Sequence, residues 1–350
     1  MPKTQAKINL SFKPKEVTKK LLGVLSDRAQ DILIKRYGLG KSSGHLTLEA
    51  IGGEYGITRE RVRQIENFAI TGIKKSPEFA KNSPTFAELK EIMNEFGGVV
   101  HEIEFLNTIA SDKGLQNHIH FLLVLGDAFI KIKESEDFHH GWTVDQAFAD
   151  QIHNSIKNLC SNFSEDDLVS ETELVDNFLA ELKGIIKSTN ETSDKDLARK
   201  WLALSKAISP NPLGEWGLSK SPNVKMRGIR DYAFLVLRRH GSPMHFNEVA
   251  KGIEKLFGKK AHPATCHNEL IKDSRFVLVG RGLYALSEWG YNPGVVAVVI
   301  RNILEKEGAM TKEEIINRVL KERYVKENTI LVNLQNPSLF KRDTEGRYEI

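Results

Sequence analysis

The stretch that decides the fold of the N-terminal part of the chain is residues 47–75, TLEAIGGEYGITRERVRQIENFAITGIKK. It predicts two short helices joined by a tight turn, one over residues 48–54 and one that continues to Lys75. Thr47 and Thr58 stand where a hydroxyl oxygen accepts from the free N–H groups of a first helical turn. Gly56 stands at the reversal, where a left-handed backbone costs glycine little. This pattern is typical of a helix-turn-helix.

The second of these helices has two different faces. Four apolar residues fall at spacings of three and four, which predicts one stripe facing a core: Val62, Ile65, Ala69 and Ile73. The opposite face is polar and carries Arg59, Glu60, Arg63, Gln64 and Asn67. Such a face on the second helix of a helix-turn-helix has the size and chemistry to enter a DNA major groove. Arginine pairs with guanine, glutamine with adenine, and glutamate accepts from cytosine. A solvated amphipathic helix is the alternative.

The string itself carries a family resemblance. TRERVRQIE, preceded by TLEAIG, resembles the recognition helix and the preceding helix of region 4 of the bacterial sigma-70 family. Upstream, residues 21–39, LLGVLSDRAQDILIKRYGL, resemble that region's first long helix. The resemblance covers roughly the first fifth of the chain. In this family, region 4 binds the −35 promoter element and the flap of RNA polymerase.

The resemblance implies a set of DNA-binding residues. Four of them match positions that touch the −35 element or its flanking phosphates: Arg59, Glu60, Arg63 and Gln64. Others match positions that anchor the domain on the DNA backbone, or cap the recognition helix: Thr47, Leu48, Thr58 and Arg61. The sequence departs from the family after Glu66, where basic residues are usual and Asn67, Phe68 and Ala69 stand instead.

A contact groove for RNA polymerase is also implied by the resemblance. The matching residues in the first helices are Leu25, Ile32 and Leu33. Since large aliphatic residues are usually buried, a place in the core is the alternative for all three.

The uneven distribution of charge separates the ends from the middle. The net charge is +4 over 350 residues. Residues 1–80 carry 15 Lys and Arg against 8 Asp and Glu, residues 81–220 carry 13 against 23, and residues 221–350 carry 22 against 15. Polyanion contact is therefore expected at the two ends, and protein contact in the acidic middle.

Several classes of protein are disfavoured by the composition. No apolar run reaches the roughly 20 residues needed to span a bilayer, and the first residues lack an apolar signal core. The two cysteines, Cys160 and Cys266, lie far apart in sequence and form no C-x-x-C pair, so neither a disulfide framework nor a cysteine-rich zinc site is expected. The histidines lack the spacing of metal ligands, and no catalytic motif is present. We expect no enzyme, metal, cofactor, membrane or small-molecule substrate, and a cytoplasmic, nucleoid-associated location.

Beyond the helix-turn-helix, one order of elements recurs. Helix, short strand, helix, helix and hairpin is predicted four times, which is the order of a winged helix-turn-helix. The expected fold is mostly α: a helix-turn-helix head followed by tandem winged modules with small β-hairpin wings. The predicted segments are a flexible basic arm (1–16), the head (17–76), a linker (76–83), and winged modules at 84–144, 145–220, 226–290 and 293–350.

The third winged module carries a resemblance of its own. RGIRDYAFLVLRRHGSPMHFNEVAKGIEKLF (227–257) and ATCHNELIKDSRFVLVGRGLYAL (264–286) resemble the HARE-HTH domain. That winged helix occurs in the delta subunit of bacterial RNA polymerase and in several chromatin and restriction proteins. Around its recognition helix and wing lies a second candidate surface, for which DNA contact and protein docking both remain open: Lys259, Lys260, His262, Thr265, His267, Lys272, Arg275 and Arg281.

The sequence thus predicts a DNA-binding transcription protein that recognises a −35-like element in double-stranded DNA and associates with RNA polymerase core. No stretch of the chain resembles the family's −10 reading and melting region. An accessory or partial sigma-like factor is therefore expected rather than a promoter-opening one. The alternative is a DNA-bound adaptor of a defence or chromosome-associated system, whose winged helices recruit an effector.

Overall fold

The structure, a computed structural model, describes residues 8–41, 43–186, 191–291 and 294–350. The chain divides into two compact units. The first runs to Ser164 and includes Val169–Ser209, and the second consists of Glu165–Leu168 and Pro210–Ile350. Helices predominate, and the strands form small pairs and three-stranded sheets. The expected fold class is therefore confirmed, while the exact boundaries of the six segments stay predictions.

The N-terminal head consists of four helices: α1 (Pro14–Leu22), α2 (Asp27–Tyr37), α3 (Leu48–Tyr55) and α4 (Arg59–Lys74). Helix α1 begins at Pro14, because the fixed φ of proline suits a first helical turn. Helix α2 ends at Gly38, which adopts φ 60° as a left-handed cap.

The predicted basic arm, residues 1–16, is described only in part. Residues 1–7 lie outside the described residues. Ile8, Leu10 and Phe12 pack against the main apolar core of the first unit. The backbone N–H of Ser11 donates to Glu88 Oε1 at 2.7 Å. The apolar end of the arm is therefore docked rather than free.

The turn between α3 and α4 depends on two glycines. Gly56 ends α3 with φ 63°, a left-handed conformation. Gly52 is buried one turn earlier, and a Cβ atom placed on it would lie 2.6 Å from the carbonyl oxygen of Ile57. The two segments therefore approach as closely as they do because position 52 lacks a side chain.

We predict opposite effects for alanine at two adjacent positions. Gly52→Ala forces α3 away from the turn, and we expect it to cost about 1–3 kcal/mol in stability of the head, as overpacking does. Gly53→Ala is the control, since a Cβ there meets nothing within 4 Å. Alanine at an open helical position gains about 0.5–1 kcal/mol. Amide hydrogen exchange in α3 and α4 measures both, and equal effects of the two substitutions would contradict the account.

The segment predicted as a linker, residues 76–83, is in part helical, and this prediction was wrong. Pro77 opens helix α5 (Pro77–Lys81), which the Ser76 hydroxyl caps by accepting from the Phe79 N–H at 3.2 Å. The Phe79 ring contacts Phe86, with ring centroids 4.8 Å apart. Proline suggested an interruption, but in the first turn of a helix it is well tolerated.

The first winged module completes the core that the head begins. It consists of α6 (Ser83–Glu95), β1 (Val99–His101), α7 (Glu102–Ile109), α8 (Lys113–Leu125), β2 (Ile130–Ile132) and β3 (Gly141–Thr143). Its antiparallel sheet has the order β1-β3-β2. One apolar cluster contains Leu21, Leu33 and Ile73 of the head together with Phe121 and Leu122 of α8. The head and this module therefore share a core.

The second module continues in the first unit with three helices, after which the chain passes into the second unit. Its elements are α9 (Gln146–Ser161), α10 (Glu171–Glu181), α11 (Glu191–Leu202), β4 (Ile208–Pro210) and β5 (Trp216–Leu218). Strand β4 pairs with β5.

The second unit contains the third and fourth winged modules. The third consists of α12 (Ile229–His240), β6 (Met244–His245), α13 (Phe246–Phe257), α14 (Pro263–Lys272), β7 (Phe276–Gly280) and β8 (Leu283–Leu286), with the sheet order β6-β8-β7. The fourth consists of α15 (Val296–Glu307), α16 (Lys312–Glu322), α17 (Glu327–Leu334), β9 (Lys341–Arg342) and β10 (Tyr348–Glu349). None of the helices in the described ranges has the length and apolarity to cross a membrane.

Candidate nucleic-acid interface

One stripe of α4 is buried, and this stripe orients the helix. Val62, Ala69 and Ile73 have no exposed surface, as the periodicity predicted, and Ile65 is half-buried. Val62 packs with Ile32 and Ile51 in a small core beneath the helix-turn-helix. Because these contacts fix the rotation of α4 about its axis, its opposite face is directed to solvent.

The residues predicted to read bases lie on that exposed face. Arg59, Glu60, Arg63 and Gln64 are all exposed, as is Arg61. No hydrogen bond or ion pair of Arg59 occurs among the described residues, so its guanidinium is available to a ligand.

Two threonines fix the start of each helix, as predicted. The Thr47 hydroxyl accepts from the Ala50 N–H at 3.1 Å, and the Thr58 hydroxyl accepts from the Arg61 N–H at 3.2 Å. Leu48 lies half-buried against the small core beneath α3 and α4. Thr47 and Thr58 remain exposed at the N-terminal ends of α3 and α4, where free backbone N–H groups favour anions.

Ion pairing organises the polar face before any ligand arrives. Arg63 Nη2 and Nε donate to the two carboxylate oxygens of Glu60 at 2.7 and 2.9 Å. This pairing lowers the pKa of Glu60. Arg61 Nη1 donates to Gln64 Oε1 at 3.0 Å. Exposed pairs of this kind are weak, so the side chains can exchange their partners for base edges at little cost.

Phe68 lies one turn beyond Gln64 and is 80% exposed. It belongs to the stretch that departs from the sigma-70 pattern, and sequence reasoning did not assign it a role. Its position is readable from the sequence, because residues four apart share a helix face. The polar face of α4 therefore continues into an apolar side chain.

The expectation that Ile32 and Leu33 line an open groove for polymerase needs correction. Both side chains are completely buried. Ile32 belongs to the small core under α4, and Leu33 to the core shared with the first winged module. Leu25, the third residue of the expected groove, is half-buried beside Gly72 of α4. Of the three, Leu25 alone retains surface for a partner.

The second candidate surface lies on the third winged module and is mostly accessible. His267 is half-buried and contacts the Tyr284 hydroxyl at 3.1 Å. Lys259 places its Nζ 4.5 Å from the centre of the Tyr232 ring, an arrangement that keeps its charge in solvent. The exposed members of the set are Lys259, Lys260, His262, Thr265, Lys272 and Arg281.

Arg275 was predicted to flank the wing as a ligand contact, and the structure corrects this. Its side chain is only 19% exposed. It donates to Asn223 Oδ1 and Asp231 Oδ1, both at 2.8 Å, and to Asp273 Oδ2 at 2.7 Å. The other oxygen of Asp231 accepts from the backbone N–H of Gly228 at the start of α12. Arg275 therefore joins the start of α12 to the start of β7.

Comparison with known proteins agrees with both resemblances. The family model described as Sigma-70, region 4 matches residues 21–75. The HARE-HTH model, whose description includes the words "restriction endonuclease HTH domain", matches residues 228–289. The chain therefore contains one region of each type, at the positions expected. These regions are helix-turn-helix domains, which supports a DNA-binding, transcription-related function.

Curated relatives match the first of these regions. RNA polymerase sigma factor RpoD of Neisseria gonorrhoeae is 41% identical over 59 residues, which is 17% of this chain and 9% of that protein. RNA polymerase principal sigma factor HrdD of Streptomyces griseus is 42% identical over 55 residues, 16% of each chain. The RpoD protein of Helicobacter pylori (strain ATCC 700392 / 26695) is 41% identical over 61 residues, 17% of this chain and 9% of that protein. The chain thus matches a small part of each relative's length.

The possible metal ligands among the residues that the structure describes are His, Cys, Asp and Glu side chains. No group of three or more His, Cys, Asp and Glu side chains there is arranged to hold an ion.

We predict that alanine substitution of two arginines of the third module lowers its stability by very different amounts. Arg275→Ala removes the 2.8 Å ion-pair partner of the buried Asp231 carboxylate and leaves it with Arg230 Nε, 4.0 Å away. We expect a loss of at least about 2 kcal/mol in unfolding free energy of this module. Arg281→Ala removes an exposed charge and should change it by less than about 0.5 kcal/mol. Amide hydrogen exchange in α12 and β7 measures the difference. Equal protection in the two variants would contradict the internal role of Arg275.

Proposed function

We propose that this protein binds double-stranded DNA in a sequence-specific manner through α4, at a promoter element of the −35 type. The observation that carries the proposal is the exposed set Arg59, Glu60, Arg63 and Gln64 on a helix whose opposite stripe packs into the core. It is supported by the match of this segment to sigma-70 region 4.

The chemistry of the face suits base recognition. A guanidinium donates two hydrogen bonds to the O6 and N7 atoms of guanine, and a glutamine amide forms two hydrogen bonds with N6 and N7 of adenine. Gln64 and Arg63 are adjacent residues of α4, and Glu60 lies one turn earlier, with a carboxylate that can accept from a cytosine amino group. The face thus offers distinct hydrogen-bonding groups to successive base pairs.

Backbone anchoring falls to the residues around the helix ends. Thr47 and Thr58 lie at the exposed N-termini of α3 and α4, and Leu48 packs beneath them. Arg61 is exposed on the flank of α4. Phosphate contacts from such positions set the register of a protein on duplex DNA, while base contacts supply the discrimination.

We further propose that the protein associates with RNA polymerase and acts as an accessory or partial sigma-like factor. The support is that the relatives matching the head are RNA polymerase sigma factors. The exposed cations of the third winged module, including Lys260, Lys272 and Arg281, form a second surface for DNA or for a protein of the same assembly.

We predict that the double substitution Arg59→Ala with Arg63→Ala weakens binding to a preferred duplex at least tenfold. Each lost bidentate contact removes about 1–3 kcal/mol of discrimination. If these arginines also touch phosphates, the slope of log K against log salt becomes shallower by about 1–2 units. Fluorescence anisotropy titrations at several salt concentrations, on preferred and scrambled duplexes, measure both quantities.

The matched control removes two arginines elsewhere. Arg301→Ala with Arg318→Ala deletes the same charge from exposed positions of the fourth module. We expect this variant to keep the affinity and preference of the unmodified chain. The proposal is wrong if the α4 variant binds as tightly, and with the same preference and salt slope, as the control.

A further inference from the structure

Winged helices of this order offer two elements to a nucleic acid, the third helix and the wing. In the first winged module these are α8 and the loop between β2 and β3, residues 133–140, here called the wing loop. Both belong to the first compact unit. Their surroundings decide whether this module is a second reader of DNA.

Helix α8 has almost no free surface. All of its residues are described, and only Lys113 at its first position is exposed. Ile119, Phe121, Leu122 and Leu125 have no exposed surface at all. A helix that enters a groove needs an exposed face of polar side chains. Helix α8 does not have one.

The head covers the outer face of α8. Helices α1, α2 and α4 all pack on it, and their apolar residues join those of α8 in one cluster. The ring of Tyr37, at the end of α2, lies 5.0 Å from that of Phe121. Lys74 Nζ, at the end of α4, pairs with Asp127 Oδ1 at 2.6 Å just beyond α8. In a winged helix that binds DNA, the third helix enters the groove. Here the third helix, α8, supports the head instead.

A buried amide fastens this contact. Asn117 of α8 is 2% exposed. Its Nδ2 donates to the carbonyl oxygens of Gly38 and Ser43, at 2.9 and 3.0 Å. With the amide so oriented, Asn117 Oδ1 accepts from Nε2 of His45 at 3.0 Å. These three partners lie on the segment that leads from α2 into the helix-turn-helix, so α8 holds the entry to α3.

The electrostatics of α8 also oppose phosphate contact. Burial lowers the pKa of His118, and lowers that of His120 to about 4. Both imidazoles are therefore neutral near pH 7. Lys113 is then the one cation of the helix.

The wing loop is engaged by the second module. Phe138 is 5% exposed and stacks on His153 of α9, with ring centroids 4.0 Å apart. The His139 N–H donates to the Leu204 carbonyl at 2.9 Å, and the Lys206 N–H donates to the Asp137 carbonyl at 2.7 Å. Lys206 also forms an ion pair with Glu134. The loop is thus paired to the chain that follows α11.

The charge of the wing loop also disfavours contact with DNA. It carries three acidic residues, Glu134, Glu136 and Asp137, against one lysine, Lys133, at its start. Carboxylates near a phosphate backbone repel it. A wing that contacted DNA would gain from the opposite charge.

We infer that the first winged module is an internal coupler rather than a reader of nucleic acid. Its helix α8 holds the head, and its wing loop holds the second module. The head and these two modules therefore form one rigid body, which fixes the position of α4. In this arrangement, α8 covers the apolar face formed by α1, α2 and α4. A partner helix reaches Leu21, Leu33 or Ile73 only by displacing α8.

In one respect the inference rests on the proposed function: if α4 reads DNA, its presentation depends on this coupling, and any polymerase contact uses another part of the head. The coupling itself is tested without DNA. In the full chain, amide protons of α1, α2 and α8 should exchange through a common opening with similar free energies. Exchange of the head through a separate, lower-energy opening would overturn the inference.

A substitution sharpens the test. Asn117→Asp keeps the shape but sets a carboxylate oxygen against two carbonyl oxygens. We expect amide exchange to rise at least tenfold in both α8 and residues 43–50, since the two ends of the contact loosen together. Asn94→Asp is the matched control, an exposed position on α6 with the same change of charge. Faster exchange in α8 with an unaltered 43–50 segment would contradict the coupling.

A third variant separates this inference from the proposed function. Lys113→Ala with Lys133→Ala removes the exposed lysines of α8 and of the wing loop. We expect DNA affinity and its salt slope to stay unchanged. A shallower slope, by about one unit per lysine, would make this module a DNA contact and refute the inference. If DNA binding is lost only in the Arg59→Ala, Arg63→Ala variant, the inference stands. If the unmodified chain does not bind DNA at all, the proposed function is refuted and the inference is not.

Discussion

The burial of one stripe of α4 is the constraint on which the candidate interface depends. Val62 lies against Ile32 and Ile51, and Ala69 and Ile73 continue the stripe into the core shared with α8. Successive residues of a helix differ by about 100° around its axis. A register shift of one residue would therefore bury Arg63 or Arg61 and expose Val62. Burying an unpaired guanidinium costs far more free energy than burying a valine gains. The exposed polar face of α4 is therefore fixed by the core beneath the helix.

Features that act over a few residues were predictable from the sequence. The capping hydroxyls of Thr47 and Thr58 bond to N–H groups three residues away, and Gly56 ends α3 at the expected left-handed position. The stripe of α4 and the order of elements in the winged modules follow from the same local periodicity. These patterns suffice because helix rotation and caps depend on neighbouring residues.

Features that join distant parts of the chain were not predictable. Arg275 stands in a basic stretch and suggested a surface charge, yet its partner Asp231 lies 44 residues earlier. Asn117 bonds to Gly38 across 79 residues. Ile32 and Leu33 satisfy the pattern of a groove and of a core equally well, and which one holds is decided by what packs against them. A local pattern contains no information about such a partner.

The first unit thus differs from a freely tethered region 4 domain. Helix α4 is supported from below by α8, and α8 belongs to a module whose wing loop is held by the next one. Sites on rigid elements hold their geometry better than sites on loops, so this support suits the contact with base edges that we propose for α4.

The most direct test of the central claim is a selection of duplexes bound by the full chain from a random DNA pool. If α4 reads bases through Arg59, Glu60, Arg63 and Gln64, the bound fraction should converge on a short motif of the −35 type. Recovery of DNA without any enriched motif would show that the protein holds duplexes by charge alone, and would contradict the account.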